Sequence, residues 1–225
     1  MSPETTDFLY PFIEGDETDS GSLLEDLARS AEGKWEQSAA LRAETLAACG
    51  DQIDEVAAAM AGRFRAGGRL FTFGNGGSAT DAEAVAHLYT QPPGAARAPG
   101  AARALAARSL ADDQAVLTAL GNDVGFELVF SRQLIAHGRR DDIAMGFSTS
   151  GNSENLMRAF AEARKQGMLT VGIAGTDGGR MAAEGSPVEQ CLVVRSQSVH
   201  RIQESQAALV HALWAAVQAE LAAAA

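Results

Sequence analysis

Residues 146–153 read Gly-Phe-Ser-Thr-Ser-Gly-Asn-Ser, and Ser148, Thr149, Ser150 and Ser153 bring four hydroxyl donors to one short stretch. The run after it, Glu154 to Gln166, spaces Leu156, Ala159, Phe160 and Ala163 as the apolar stripe of a helix. The run before it, Asp141 to Phe147, reads as a short buried strand of a parallel sheet. A helix start offers unpaired N–H groups and the positive end of the helix dipole. Hydroxyls gathered there suit a small anion, above all a phosphate group. The same residues would equally serve as an ordinary serine-rich cap and turn.

A second turn tips that balance. Arg69 to Phe73 reads as a strand, Gly74-Asn75-Gly76-Gly77-Ser78 follows, and Ala79 to Thr90 has a helical pattern. Glycines let a backbone come close to a ligand, and Ser78 falls where an N-cap would stand. The turn is neither a dinucleotide fingerprint nor a P-loop, since no Lys follows the glycines. Two strand–polar turn–helix units in one parallel sheet place both turns at the carboxyl ends of their strands, where such sheets bind ligands.

The elements that must carry these turns can be read along the chain. Met1 to Ser20 is an acidic arm with Phe8, Tyr10 and Phe12; it could be disordered, although its aromatics suggest that it packs on something. Gly21 to Ala66 is helical in pattern, with a break expected at Cys49-Gly50-Asp51, Asp51 capping a second helix, and Gly67-Gly68 ending it. Gln91 to Arg103 reads as a Pro/Gly/Ala loop. Further strands are expected at 108–110, 143–145, 169–174 and 191–194, and helices at 112–120, 126–137, 154–166 and 201–222, with a fraying tail at 222–225. That alternation implies a doubly wound, five-stranded parallel sheet flanked by helices, with an N-terminal helical segment. The expected organisation is an arm at 1–20, helices at 21–66 and the sheet domain at 67–225, the last two forming one structural unit.

Composition agrees with one α/β domain of 225 residues. A formal charge of −11 argues against nucleic acid as a partner. No apolar run reaches membrane-spanning length, and the acidic N-terminus does not read as a secretory signal, so a cytoplasmic protein is expected. Cys49 and Cys191 stand in no metal-ligand spacing and read as buried or idle thiols.

The two turns resemble those of the sugar isomerase (SIS) domain family, and within it the phosphoheptose isomerase branch. That branch interconverts sedoheptulose 7-phosphate and a heptose 7-phosphate. Three more segments are similar to it: Gly121-Asn122-Asp123 with Gly125-Phe126, Gly175 to Met181, and Arg201-Ile202-Gln203-Glu204 with His211 eight residues after Gln203. The similarity runs from about Gln52 to Gln218. It implies an SIS-type sheet, a phosphate seat at Ser148, Thr149, Ser150 and Ser153, and substrate contacts from Asn75, Gly76, Gly77, Ser78, Asp123 and Gln203. It also implies a catalytic role for His211. Without the resemblance, a His in an Ala/Leu-rich helix would more simply face water, and Asn-Asp is ordinary turn chemistry. His200 replaces an acidic residue usual in that branch.

The first helix departs from the pattern. The branch carries there a His and, four residues on, a Glu proposed as catalytic base, and some members bind zinc through that pair. Aligned from Gly74, those positions are Ala84 and Leu88, which neither transfer protons nor bind metals. One residue earlier on each stand Glu83 and His87, again four apart. A one-residue shift turns a helix face by roughly 100°. Either this helix is rotated or offset to bring Glu83 and His87 inward, or the pair is absent and these two residues face solvent.

Aldose–ketose isomerisation moves a proton between C1 and C2 through an enediol, which a carboxylate and an imidazole can serve. His211 with Glu83 or His87 would supply that chemistry. No cofactor is required, although a divalent metal such as zinc could take part, held by Glu83, His87, Gln203 and His211. The expected activity is that of a ketose/aldose phosphate isomerase acting on a small phosphorylated sugar. The alternative is a non-catalytic, adaptor-like SIS protein that keeps the phosphate seat and has lost its base. Surplus apolar helices and the resemblance imply a homo-oligomer, a tetramer rather than a dimer.

Overall fold

The computed structural model describes residues 20–93 and 102–223. The arm, part of the 91–103 loop and the last two residues of the tail therefore lie outside the described residues. The chain divides into compact units at 1–40 and 41–225. The sheet, both turns and every site residue considered below belong to the second.

Five parallel strands, β1 (Leu70–Gly74), β2 (Ala107–Ser109), β3 (Ile143–Ser148), β4 (Leu169–Gly175) and β5 (Gln190–Val194), lie in the order β2-β1-β3-β4-β5. Registers such as Leu70 opposite Ile143 and Ile143 opposite Leu169 keep apolar side chains aligned across the sheet. Between and after the strands come α2 (Gly77–Thr90), α3 (Gln114–Asp123), α4 (Val129–His137), α5 (Glu154–Lys165), the single turn α6 (Gly179–Ala182) and α7 (Val199–Ala223). Alternating strand residues feed two cores. Leu70, Ile143, Met145 and Val171 join Val85 of α2 and Leu209 and Leu213 of α7 on one face, whereas Phe71, Phe73 and Ala144 join Phe130 of α4 and Phe160 of α5 on the other. The five strands fall where the sequence places them, within three residues at each end.

Helix α1 corrects one expectation. It runs unbroken from Ser20 to Arg65, through Cys49-Gly50-Asp51, so Asp51 caps nothing. Cys49, Ile53, Val56, Ala57, Met60 and Ala61 form a stripe at helical spacing, buried in the same core as α7. Burying that stripe outweighs the roughly 1 kcal/mol that a glycine costs inside a helix. Gly67 does end the helix, at φ +85°. Gln52 donates from Nε2 to the Cys191 carbonyl at 3.1 Å, which ties α1 to β5.

Candidate active site

The strand order reverses between β1 and β3, and open α/β sheets bind ligands at that crevice, beyond the strand ends. The turns after those two strands are the two glycine- and serine-rich segments. A reciprocal amide pair ties the first of them to the start of α5, just after the second: Asn75 Nδ2 donates to Asn155 Oδ1 at 3.0 Å, and Asn155 Nδ2 donates to Asn75 Oδ1 at 2.9 Å. In the second turn the Ser148 and Ser153 hydroxyls lie 3.3 Å apart, and the Gly151 N–H donates to Ser148 Oγ at 3.0 Å. Ser148 is buried and Ser150 is exposed. Gly151 stands at φ +65°, and a Cβ there would come within 2.0 Å of the Gly178 carbonyl oxygen, so this turn closes only on glycine. Behind it, Thr176 holds φ 53°, uncommon for a β-branched residue, with its hydroxyl on the Gly175 carbonyl at 2.7 Å. Glu154 opens α5 between Arg180 and Arg158, whose guanidinium hydrogen bonds hold its carboxyl below the usual range. The start of α5 therefore has two cations beside its one carboxylate.

Beside the turns a groove runs between α2 and α7. Asp81, Ala84, Val85 and Leu88 follow one face of α2, Ala207, Val210 and His211 follow one face of α7, and Phe147 of β3 also lines the groove. Its cavity of about 120 Å³ is smaller than a typical pocket for a whole ligand, so it suits one end of a sugar rather than a whole sugar phosphate. At the end nearest the turns, Gln203 Nε2 donates to Asp81 Oδ2 at 3.2 Å. A Cβ on Gly77 would meet that same Nε2 at 2.4 Å, so the glycine makes room for the Gln203 amide. Burial raises the Asp81 carboxyl above its ordinary value, and the Gln203 hydrogen bond opposes part of that rise. Farther along, the His211 ring lies 5.3 Å from the Trp214 ring, centroid to centroid.

Helix α2 is neither rotated nor offset. Ala84 and Leu88 line the groove, while Glu83 and His87 are exposed and outside its lining. Ser78 does not cap α2: Gly76 holds that position, with no side-chain cap, and Ser78 is buried one residue inside the helix start. Ser153 does precede α5, although without a side-chain cap bond. Asp123 is exposed at the end of α3, where Asn122 donates to its Oδ1 at 2.8 Å. Asp81 and Asn155 escaped the sequence reading. Asp81 could have been found from its spacing, three and seven residues before Ala84 and Leu88, which sets all three on one helical face.

The resemblance brings zinc into question. Among the described residues no three His, Cys, Asp or Glu side chains stand where they could hold a metal ion together. The groove positions that would supply an imidazole and a carboxylate are Ala84 and Leu88, and the Gln203 amide is engaged with Asp81. These donors do not fit a zinc site of the implied kind.

Comparison with known proteins places the chain in a family. The sequence model of the SIS domain matches residues 35–175. The chain belongs to the SIS domain family. A phosphoheptose isomerase from Geobacter sp. (strain M21) is 38% identical over 199 residues, covering 88% of this chain and 97% of the relative. One from Paramagnetospirillum magneticum (strain ATCC 700264 / AMB-1) is 41% identical over 194 residues, with 82% and 94% covered. The structure of phosphoheptose isomerase GmhA from Neisseria gonorrhoeae aligns with a TM-score of 0.76 at 33% identity, covering 86% of this chain and 99% of that one. The five-stranded parallel sheet with its flanking helices is thus the SIS fold. Among the described residues no helix is long and apolar enough to cross a membrane.

Proposed function

We propose that this SIS protein is an aldose–ketose phosphosugar isomerase acting on a substrate like sedoheptulose 7-phosphate. The phosphate sits on the Ser148–Ser153 turn, and the reacting carbons enter the groove between α2 and α7. One observation carries the reading: at the β1/β3 crevice the glycine turn is tied through Asn75 to Asn155 at the start of α5, next to a groove lined by a carboxylate, which the Gln203 amide bonds, and an imidazole. Relatives named phosphoheptose isomerase, matched over nearly their whole length, support the same assignment. The chemistry is proton transfer between C1 and C2 through an enediol, with His211 serving the neighbouring oxygen. The protein works as a homo-oligomer, a tetramer, in the cytoplasm; Phe126, Ile135 and Val199 are exposed apolar side chains that such an assembly can cover.

A second reading has its own observation. Ala84 and Leu88 put methyl groups where the resemblance implies an imidazole and a carboxylate, which suits a protein that binds a phosphosugar without turning it over. Incubating the purified protein with sedoheptulose 7-phosphate and following ¹H and ³¹P NMR separates the two. Appearance of an aldose phosphate supports the isomerase. Saturable binding without conversion of this or shorter ketose phosphates supports the binding protein, and no binding at all rejects both.

A further inference from the structure

We infer that Asp81 is the general base of this site and that Gln203 is its positioning residue. The inference rests on the isomerase reading above and names the group that performs its proton transfer.

The groove needs a proton acceptor. Its lining among the described residues includes one carboxylate, Asp81, and one imidazole, His211; the other residues along it are apolar. Glu83 and His87 lie on the exposed side of α2. Asp81 is half-buried on the fifth residue of α2, beside the glycine turn that precedes the helix. Gln203 donates to one of its oxygens at 3.2 Å, which leaves the other oxygen for a second proton. Gly77 yields its side-chain space to that amide, so the pair is built into the packing rather than laid on the surface. Burial raises the carboxyl above its ordinary value, the direction that strengthens a base. His211 lies eight residues after Gln203 on α7; it is exposed and lines the same groove as Asp81.

The step balances within the substrate. The Asp81 carboxylate takes a proton from C1 of the ketose, and the C1–H electron pair becomes the C1–C2 double bond. The C2 carbonyl pair moves onto its oxygen, which takes a proton delivered by His211. His211, now neutral, takes the proton from the C1 hydroxyl, C1 becomes the carbonyl carbon, and the proton held by Asp81 goes to C2, which returns both side chains to their starting states. Nothing is oxidised or reduced overall, and no co-reactant is needed.

The test measures conversion of sedoheptulose 7-phosphate in D₂O, together with deuterium entering the C1 and C2 positions, for wild type, Asp81→Asn, Asp81→Glu and Glu83→Gln. Affinity for inorganic phosphate is measured alongside. The expected result is that Asp81→Asn lowers both conversion and deuterium entry at least a hundredfold, with phosphate affinity within twofold of wild type. Asp81→Glu regains part of the rate, and Glu83→Gln matches wild type. If wild type converts the sugar and Asp81→Asn keeps pace, or if Glu83→Gln is the variant that loses exchange, the assignment of Asp81 falls while the isomerase reading stands. A wild type that binds phosphate but neither converts nor exchanges overturns both.

Discussion

Replacing Gly77 by alanine tests the hydrogen bond at the head of the groove without touching either partner. The new Cβ would lie 2.4 Å from Gln203 Nε2, 3.1 Å from Oε1 and 3.2 Å from Cδ, its three nearest contacts beyond the local backbone. Gly77 does not hold a positive φ, so alanine fits the backbone and the Gln203 side chain must withdraw. Its 3.2 Å hydrogen bond to Asp81 is then lost. In a half-exposed place that bond contributes about 0.5–1.5 kcal/mol, while alanine returns up to about 1 kcal/mol of helix propensity. The net change in stability stays within about 1 kcal/mol, a shift in Tm of no more than roughly 4 °C for a chain of this size. Turnover is more sensitive, because Asp81 loses the donor that fixes its carboxylate. A misalignment that raises the barrier by about 1.4–2.7 kcal/mol lowers kcat ten- to a hundredfold. Thermal unfolding and the NMR conversion assay read the two effects separately. Unchanged turnover at a near-native Tm would show that Gln203 positions nothing. A collapse of Tm by more than 10 °C would show that its side chain has nowhere to go.

Three further outcomes are expected of the same molecule. Ser150→Ala, at the exposed tip of the turn, weakens sugar-phosphate binding by about 0.5–1.5 kcal/mol, and by more if the lost bond is charge-assisted; titration calorimetry reads it. Because burial raises the Asp81 carboxyl in the folded state, its contribution to stability is fully present below its unfolded value of 3.8 and is lost as the pH rises through the folded value. Asp81→Asn therefore raises the unfolding midpoint at pH 7, and denaturant melts should show that gain vanishing as the pH falls below 3.8. Burial pushes the Cys191 thiol up to about 12 and also raises Cys49, so mass spectrometry of native protein treated with iodoacetamide at about pH 8 should find little label on either; rapid labelling would contradict that burial.

Much of the frame was legible because each strand is bounded by turn residues and each helix, except the one-turn α6, carries a long apolar pattern. The break expected at Gly50 failed because local propensity was weighed without the stripe from Cys49 to Ala61, which only tertiary burial rewards. The same limit governed the site. The serine turn was readable, since hydroxyls at a helix start announce themselves in the sequence. The groove was not, because it is made by two helices more than a hundred residues apart, and the bond from Gln203 to Asp81 spans that distance. Ser78 looked like a cap by position, yet a glycine preceding it had already set the backbone that starts the helix.

The amide pair between Asn75 and Asn155 has a consequence for substrate choice. Two mutual hydrogen bonds hold the turn after β1 at one separation from the start of α5, which the turn after β3 leads into. If the phosphate rests on one turn while the carbonyl end enters beside the other, that separation acts as a ruler. A sugar with too few carbons leaves its carbonyl short of the groove, and one with too many must fold to fit. Chain length would then be measured by two asparagines that need not touch the reacting carbons.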